Sequence, residues 1–120
     1  MRPASLRTLR ALPSTAPLLA VVLAACSNAP RIAVVNAGDA PLVGVVVSGN
    51  GFEHPLGTIA PGARAEVRVQ PRGETGLTLA FEREGRRVMH GPDGYFEASG
   101  GYEVVATVRA DGSVEVRDEL

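Results

Sequence analysis

Tyr102-Glu103-Val104-Val105-Ala106-Thr107-Val108-Arg109-Ala110-Asp111-Gly112-Ser113-Val114-Glu115-Val116-Arg117 is the stretch on which the fold turns. Tyr102, Val104, Ala106 and Val108 fall on one side of an extended chain, and Val114 and Val116 return with Glu115 and Arg117 facing the other way. Successive side chains of a strand point to opposite faces, so this period of two makes a pair of half-buried strands. Between them Asp111-Gly112 offers residues that accept positive φ, which a two-residue hairpin turn requires. The segment predicts an antiparallel hairpin.

Moving towards the N-terminus, the pattern repeats. Leu77, Leu79 and Phe81 alternate with Thr78, Ala80 and Glu82, and Glu84-Gly85 turns the chain into a strand over Arg86 to His90. A loop is expected at Gly91-Pro92-Asp93-Gly94, leading to Tyr95-Phe96-Glu97. Ala65, Val67 and Val69 alternate with Glu66, Arg68 and Gln70. Before them Ala60-Pro61-Gly62 stops a brief strand over Leu56 to Ile59 with a proline-then-glycine turn. The near-continuous valine run from Leu42 to Ser48 suits a central strand covered on both faces, ended by Gly49-Asn50-Gly51. Ile32, Val34 and Asn36 share one side of a first strand, followed by a turn through Pro41. No stretch of this region shows helical period. Seven or eight short strands with turn signals between them predict an all-β protein, a small antiparallel β-sandwich before a barrel.

The N-terminus reads differently. Arg2, Arg7 and Arg10 stand without an acidic residue, ahead of a run from Leu18 to Ala25 built only of Leu, Ala and Val. That is the layout of a secretory signal. A membrane span needs about 20 apolar residues, and Pro13, Ser14, Thr15 and Pro17 interrupt the approach to this shorter run. The run ends at Leu23-Ala24-Ala25-Cys26, and Cys26 is the only cysteine of the chain.

In those four residues the chain resembles bacterial lipoproteins with a lipobox. The resemblance implies cleavage between Ala25 and Cys26, a diacylglycerol on the Cys26 thiol and an acylated new amino terminus. Small side chains at Ala24 and Ala25 let a peptidase approach the backbone, and a thiol is the strongest nucleophile available for lipid transfer. Ser27, where an Asp would favour retention in the inner membrane, implies an outer-membrane protein facing the periplasm. The expected organisation is therefore a signal peptide over 1–25, a lipidated cysteine and short tether over 26–30, and the β-sandwich over 31–120. Four residues separate Cys26 from the first strand at Arg31, about 13 Å when fully extended.

Two further stretches are similar to Ig-like modules. Asn36-Ala37-Gly38, with Leu56-Gly57-Thr58-Ile59-Ala60-Pro61-Gly62 some twenty residues on, is similar to the N-x-G and L-x-P-G pattern of bacterial Ig-like repeats. Ala98-Ser99-Gly100-Gly101-Tyr102-Glu103-Val104 resembles the approach to the penultimate strand of Ig and fibronectin type III domains. There a tyrosine closes a corner with its hydroxyl. The resemblance implies an Ig-like sandwich of about seven strands, without the inter-sheet cysteines and core tryptophan of antibody domains.

Composition narrows the function. Beyond residue 25 nine arginines stand against thirteen carboxylates, a formal charge near −4, and the arginines are scattered. A duplex-binding surface needs several cations on one face, so nucleic acid is not an expected partner. Lysine is absent, which excludes Schiff-base chemistry. No G-x-S-x-G, H-E-x-x-H, P-loop or dinucleotide fingerprint occurs, and Ser48, Ser99 and Ser113 carry no triad spacing. His54, Met89 and His90 are the soft-ligand candidates for a metal such as copper. Met89 and His90 are adjacent, so on a strand they face opposite ways; core filler for Met89 and solvated loops for both histidines is the competing reading. Neither a metal nor a cofactor is expected, and no small-molecule substrate is evident.

Tyr95, Glu97, Tyr102 and Glu103, with Asp93 close by, are the candidate partner-binding residues, since tyrosines among carboxylates suit an arginine-rich partner. The alternative is a solvated loop with Tyr102 tucked into a corner. Glu82, Arg83, Glu84, Arg86 and Arg87 are expected to form cross-strand charge pairs on an exposed hairpin. The sequence thus points to a non-enzymatic, lipid-anchored binding or structural module of the cell envelope. A small periplasmic inhibitor, presenting the Gly91–Gly94 loop to a wall hydrolase or protease, is the second reading.

Overall fold

Alternating side chains become eight strands in the computed structural model, which describes residues 28–119. They are β1 Arg31–Ala37, β2 Leu42–Gly49, β3 Phe52–Ile59, β4 Arg64–Arg68, β5 Thr75–Arg83, β6 Arg86–Phe96, β7 Glu103–Arg109 and β8 Val114–Glu119. The chain is an all-β sandwich of two four-stranded sheets, ordered β4-β1-β7-β8 and β3-β2-β5-β6. The expected signal segment and Cys26 lie outside the described residues. No helix of the described residues is long and apolar enough to cross a membrane.

The closing hairpin pairs as its alternation dictates, with Val104 opposite Asp118, Ala106 opposite Val116 and Val108 opposite Val114. β1 is less obvious. It lies between β4 and β7, antiparallel to β4 with Ile32 opposite Val67, and parallel to β7 with Ile32 opposite Val104 and Val34 opposite Ala106. The other four pairings among the described strands are antiparallel. The immunoglobulin constant-type order sets the first strand beside the second; here β1 and β2 belong to different sheets.

The core is made by the inward side of every pair. Ile32, Val34, Val104, Ala106 and Val108 from one sheet meet Leu42, Val45, Val47, Leu77, Leu79 and Phe81 from the other, all without exposed surface. Phe96 closes one end, with its ring 6.1 Å from that of Phe52. Each of these side chains larger than alanine contributes about 1.5–3 kcal/mol relative to exposure. Among the described residues Asn36 is the one fully buried polar residue in this apolar interior. Its Nδ2 donates to the carbonyls of Ala40 (2.8 Å) and Ile59 (3.0 Å), and its Oδ1 accepts from the Gly38 amide (3.0 Å). Its backbone also pairs with Gly62 and Ala63. The Asn36–Gly38 and Ile59–Gly62 segments are therefore one hydrogen-bonded unit.

Two expectations about strands are corrected. The valine run is central in its sheet but is covered on one face only: Val45 and Val47 are buried, Val46 is half-buried and Val43 is exposed. A bulge at Gly44 (φ 60°) lets Leu42 and Val45, three apart, both face inward. The Gly91–Gly94 segment is not a protruding loop. It belongs to the eleven-residue β6, where Leu77 pairs with Asp93 across an irregular register next to Leu79 with His90. Proline and a break in register are what an edge strand tolerates.

Candidate functional site

The chain enters the sandwich already fastened. Ala29 and Pro30 are buried. The Ala29 carbonyl accepts from Arg68 Nη1 (2.8 Å), and the Pro30 carbonyl accepts from the Val69 amide (3.1 Å). Arg31 then receives its backbone partner from Tyr102, whose carbonyl accepts the Arg31 amide at 3.0 Å. The stretch expected to serve as tether is thus shorter than four residues: from Cys26 to Ala29 the covalent reach is about 10 Å.

At this same end stand the residues singled out for partner binding. Tyr95, near the end of β6, is exposed, and its hydroxyl donates to Glu97 Oε2 at 2.7 Å. Its ring meets that of Tyr102 edge-on, with centroids 6.2 Å apart and planes at 68°. Such a T-shaped pair contributes about 0.5–1.5 kcal/mol beyond its area. Ionising the Tyr95 hydroxyl would break its bond to Glu97, leave a slightly desolvated charge and set it near Glu74. Together these push Tyr95 up to about 12. Glu103 does not join the cluster; its carboxylate lies 3.6 Å from Arg31 Nε. Tyr102 packs against the core as expected of a corner. Its hydroxyl makes no hydrogen bond among the described residues, so the corner is held by ring packing.

A second consequence of the sandwich is the meeting of β6 with β8 at the open edge between sheets. The Tyr95 amide donates to Asp118 Oδ2 at 2.6 Å. His90 and Asp93 flank the register break in β6, with His90 Nε2 and Asp93 Oδ2 2.8 Å apart. The histidines are strand residues, not loop residues. His54 is on β3 and His90 on β6, at opposite edges of one sheet, three strand spacings or about 14 Å apart. Met89 is 69% exposed on the outer face, not core filler. No group of three or more metal-ligating side chains occurs among the described residues. The His90–Asp93 pair lines neither the cleft beside Arg83 and Asp111 nor the one beside Arg31 and Arg68.

The hairpin charges also differ from expectation. Arg83 pairs with Glu84 (3.2 Å) and Asp39 (3.4 Å) rather than across the hairpin. Arg86 and Arg87 make no ion pair among the described residues, although Glu82 is the backbone partner of Arg87. The Asp39 contact joins segments far apart in sequence, a signal alternation does not carry.

No family model matches the chain, and no curated protein matches it in sequence. Among solved structures, the NMR structure of a protein from Eubacterium rectale is similar in fold, with a TM-score of 0.55 at 14% identity, covering 75% of this chain and 87% of that one. At that identity the likeness concerns the fold alone.

Proposed function

We propose that the chain is a lipid-anchored protein of the cell envelope, a non-catalytic binding or structural module carried on the outer membrane and facing the periplasm. The address comes from Leu23-Ala24-Ala25-Cys26 and Ser27. The observation that carries the reading is the seating of Ala29 and Pro30 against Arg68 and Val69. A lipid on Cys26 would then hold the Tyr95–Tyr102 end of the sandwich within about 10 Å of covalent reach of the bilayer. Acyl chains contribute about 0.8 kcal/mol per buried CH₂, far more than a modest net negative charge loses to anionic head groups.

With Glu103 engaged by Arg31, the contact surface of this reading is Tyr95, Glu97 and Tyr102, and the partner is another envelope protein. The inhibitor reading loses its instrument, because the segment it would present is a paired strand. The test is Cys26→Ser in the native host with labelled palmitate. The variant is expected to lose the label and to move from the membrane to the soluble fraction; unchanged fractionation would overturn the anchor.

A further inference from the structure

The scattered arginines converge at the other end of the sandwich. β5 delivers Arg83, the Glu84-Gly85 turn reverses the chain, and Arg86 returns directly opposite Arg83. The β7–β8 turn at Asp111-Gly112 forms the facing wall. With Arg87 and Val88 these residues line a cleft of about 300 Å³, the lower end of the range for small-ligand sites. It lies at the opposite end of the strands from Asn28–Pro30, since β1 begins at Arg31 beside Glu103 and ends at Ala37 beside Arg109.

Arg83 is built in. Its side chain is 15% exposed, Nη2 donates to the Ala110 carbonyl at 2.6 Å, and Nε is buried without a hydrogen-bond partner. The acidic residues of the cleft are already occupied. Glu84 meets Arg83, and Asp111 Oδ1 accepts from both the amide (2.9 Å) and the hydroxyl (2.7 Å) of Ser113. The exposed guanidinium groups of Arg86 and Arg87 remain without an anion among the described residues. Arg83 is compensated by Glu84 and Asp39, whereas Arg86 stands directly opposite it with no counter-ion among the described residues, which a bound anion would supply. Guanidinium forks match the paired oxygens of phosphate and carboxylate.

We propose that the cleft between the β5–β6 hairpin and the β7–β8 turn binds a compact anion with at least two charged oxygens, Arg83 forming the fixed wall and Arg86, directly opposite it on the same face of the hairpin, closing on the ligand. Phosphate and clustered carboxylates share this chemistry. The inference does not depend on the lipid anchor.

The test is calorimetric titration of the full-length chain in neutral detergent at low salt, with pyrophosphate in one arm and citrate in the other. Saturable one-to-one binding is expected in at least one arm, and the responding arm assigns the oxyanion class. The R86Q variant should bind about tenfold more weakly or worse, the scale of a lost charge-assisted hydrogen bond. R72Q, in the β4–β5 loop beside Asn50 at the tether end, should bind as the parent does. Both side chains are exposed, and far-UV circular dichroism verifies that the variants are folded. Absence of saturation at low-millimolar concentration in both arms, or equal binding by R86Q, overturns the site.

Discussion

Replacing Asn36 by alanine removes three hydrogen bonds at one point of the interior. Two carbonyls, of the buried residues Ala40 and Ile59, lose their donor, and the Gly38 amide loses its acceptor. At about 1 kcal/mol net for each bond, the loss is about 3 kcal/mol, and the stranded buried carbonyls raise it to about 4 kcal/mol. A small domain has only about 5–15 kcal/mol in all. With a midpoint shift of about 4–8 °C per kcal/mol for a domain of this size, the melting temperature should fall by about 15–30 °C. Asn36→Asp is the discriminating partner, being nearly the same shape. It retains an oxygen for Gly38 but offers no donor to Ala40 and Ile59, and it places a carboxylate where there is no exposed surface, so it should be at least as costly as alanine. Urea denaturation followed by far-UV circular dichroism measures both. If Asn36→Asp comes within about 1 kcal/mol of the parent, or Asn36→Ala costs less than that, the polar junction is not what joins the first turn to the Ile59–Gly62 turn.

Three more outcomes are expected. In an absorbance titration near 295 nm with Tyr102 replaced by phenylalanine, Tyr95 should ionise at about 12, and Glu97→Gln should lower that value towards the ordinary 10; no movement would show that Glu97 is not the cause. The sign for stability follows: the folded state holds this proton more tightly, so its contribution is complete below pH 10 and is lost as pH rises through about 12. Gly91→Ala should cost much more than Gly44→Ala in urea, because a Cβ at residue 91 would run into the Leu77 carbonyl whereas one at residue 44 meets open space, leaving about 1–2 kcal/mol for its left-handed backbone; equal costs would remove the close β5–β6 approach as the reason for glycine at 91. Phe96→Ala should destabilise by about 3–5 kcal/mol, since Phe96 is fully buried and packs on Phe52 at one end of the core, and a cost under about 1 kcal/mol in the same assay would contradict that packing.

Sequence reading succeeded where period two governs. Leu77, Leu79 and Phe81 are buried together, and the closing hairpin forms where expected, though it turns over Ala110–Gly112 with positive φ at Gly112 and not at Asp111, rather than as a two-residue turn. It misjudged places where the backbone breaks period. Gly44 shifts the phase of the valine run, so a stretch that looks buried on both faces has one wet side. Around Gly91-Pro92 the turn residues imply a loop, yet β6 absorbs them as an irregularity at a sheet edge. Alternation with Ile32 and Val34 puts Asn36 on the inward side, but no local pattern states that Ala40 and Ile59 satisfy its amide. For the candidate site, the nearness of Tyr95 to Glu97 is local and legible. The capture of Glu103 by Arg31 required the parallel pairing of β1 with β7, which alternation does not encode.

That parallel pairing bears on how the molecule comes into being. Of the eight described strands β1 is made first, and one of its two neighbours, β7, begins at Glu103. Until the stretch from Glu103 onward is available, one flank of β1 has nothing to bond to, and the sheet lacks its middle seam. Long-separation contacts of this kind are slow to close, because loop entropy must be overcome before they are rewarded. A nascent fragment ending before Glu103 would therefore stay open, and only completion of the chain locks the two halves together.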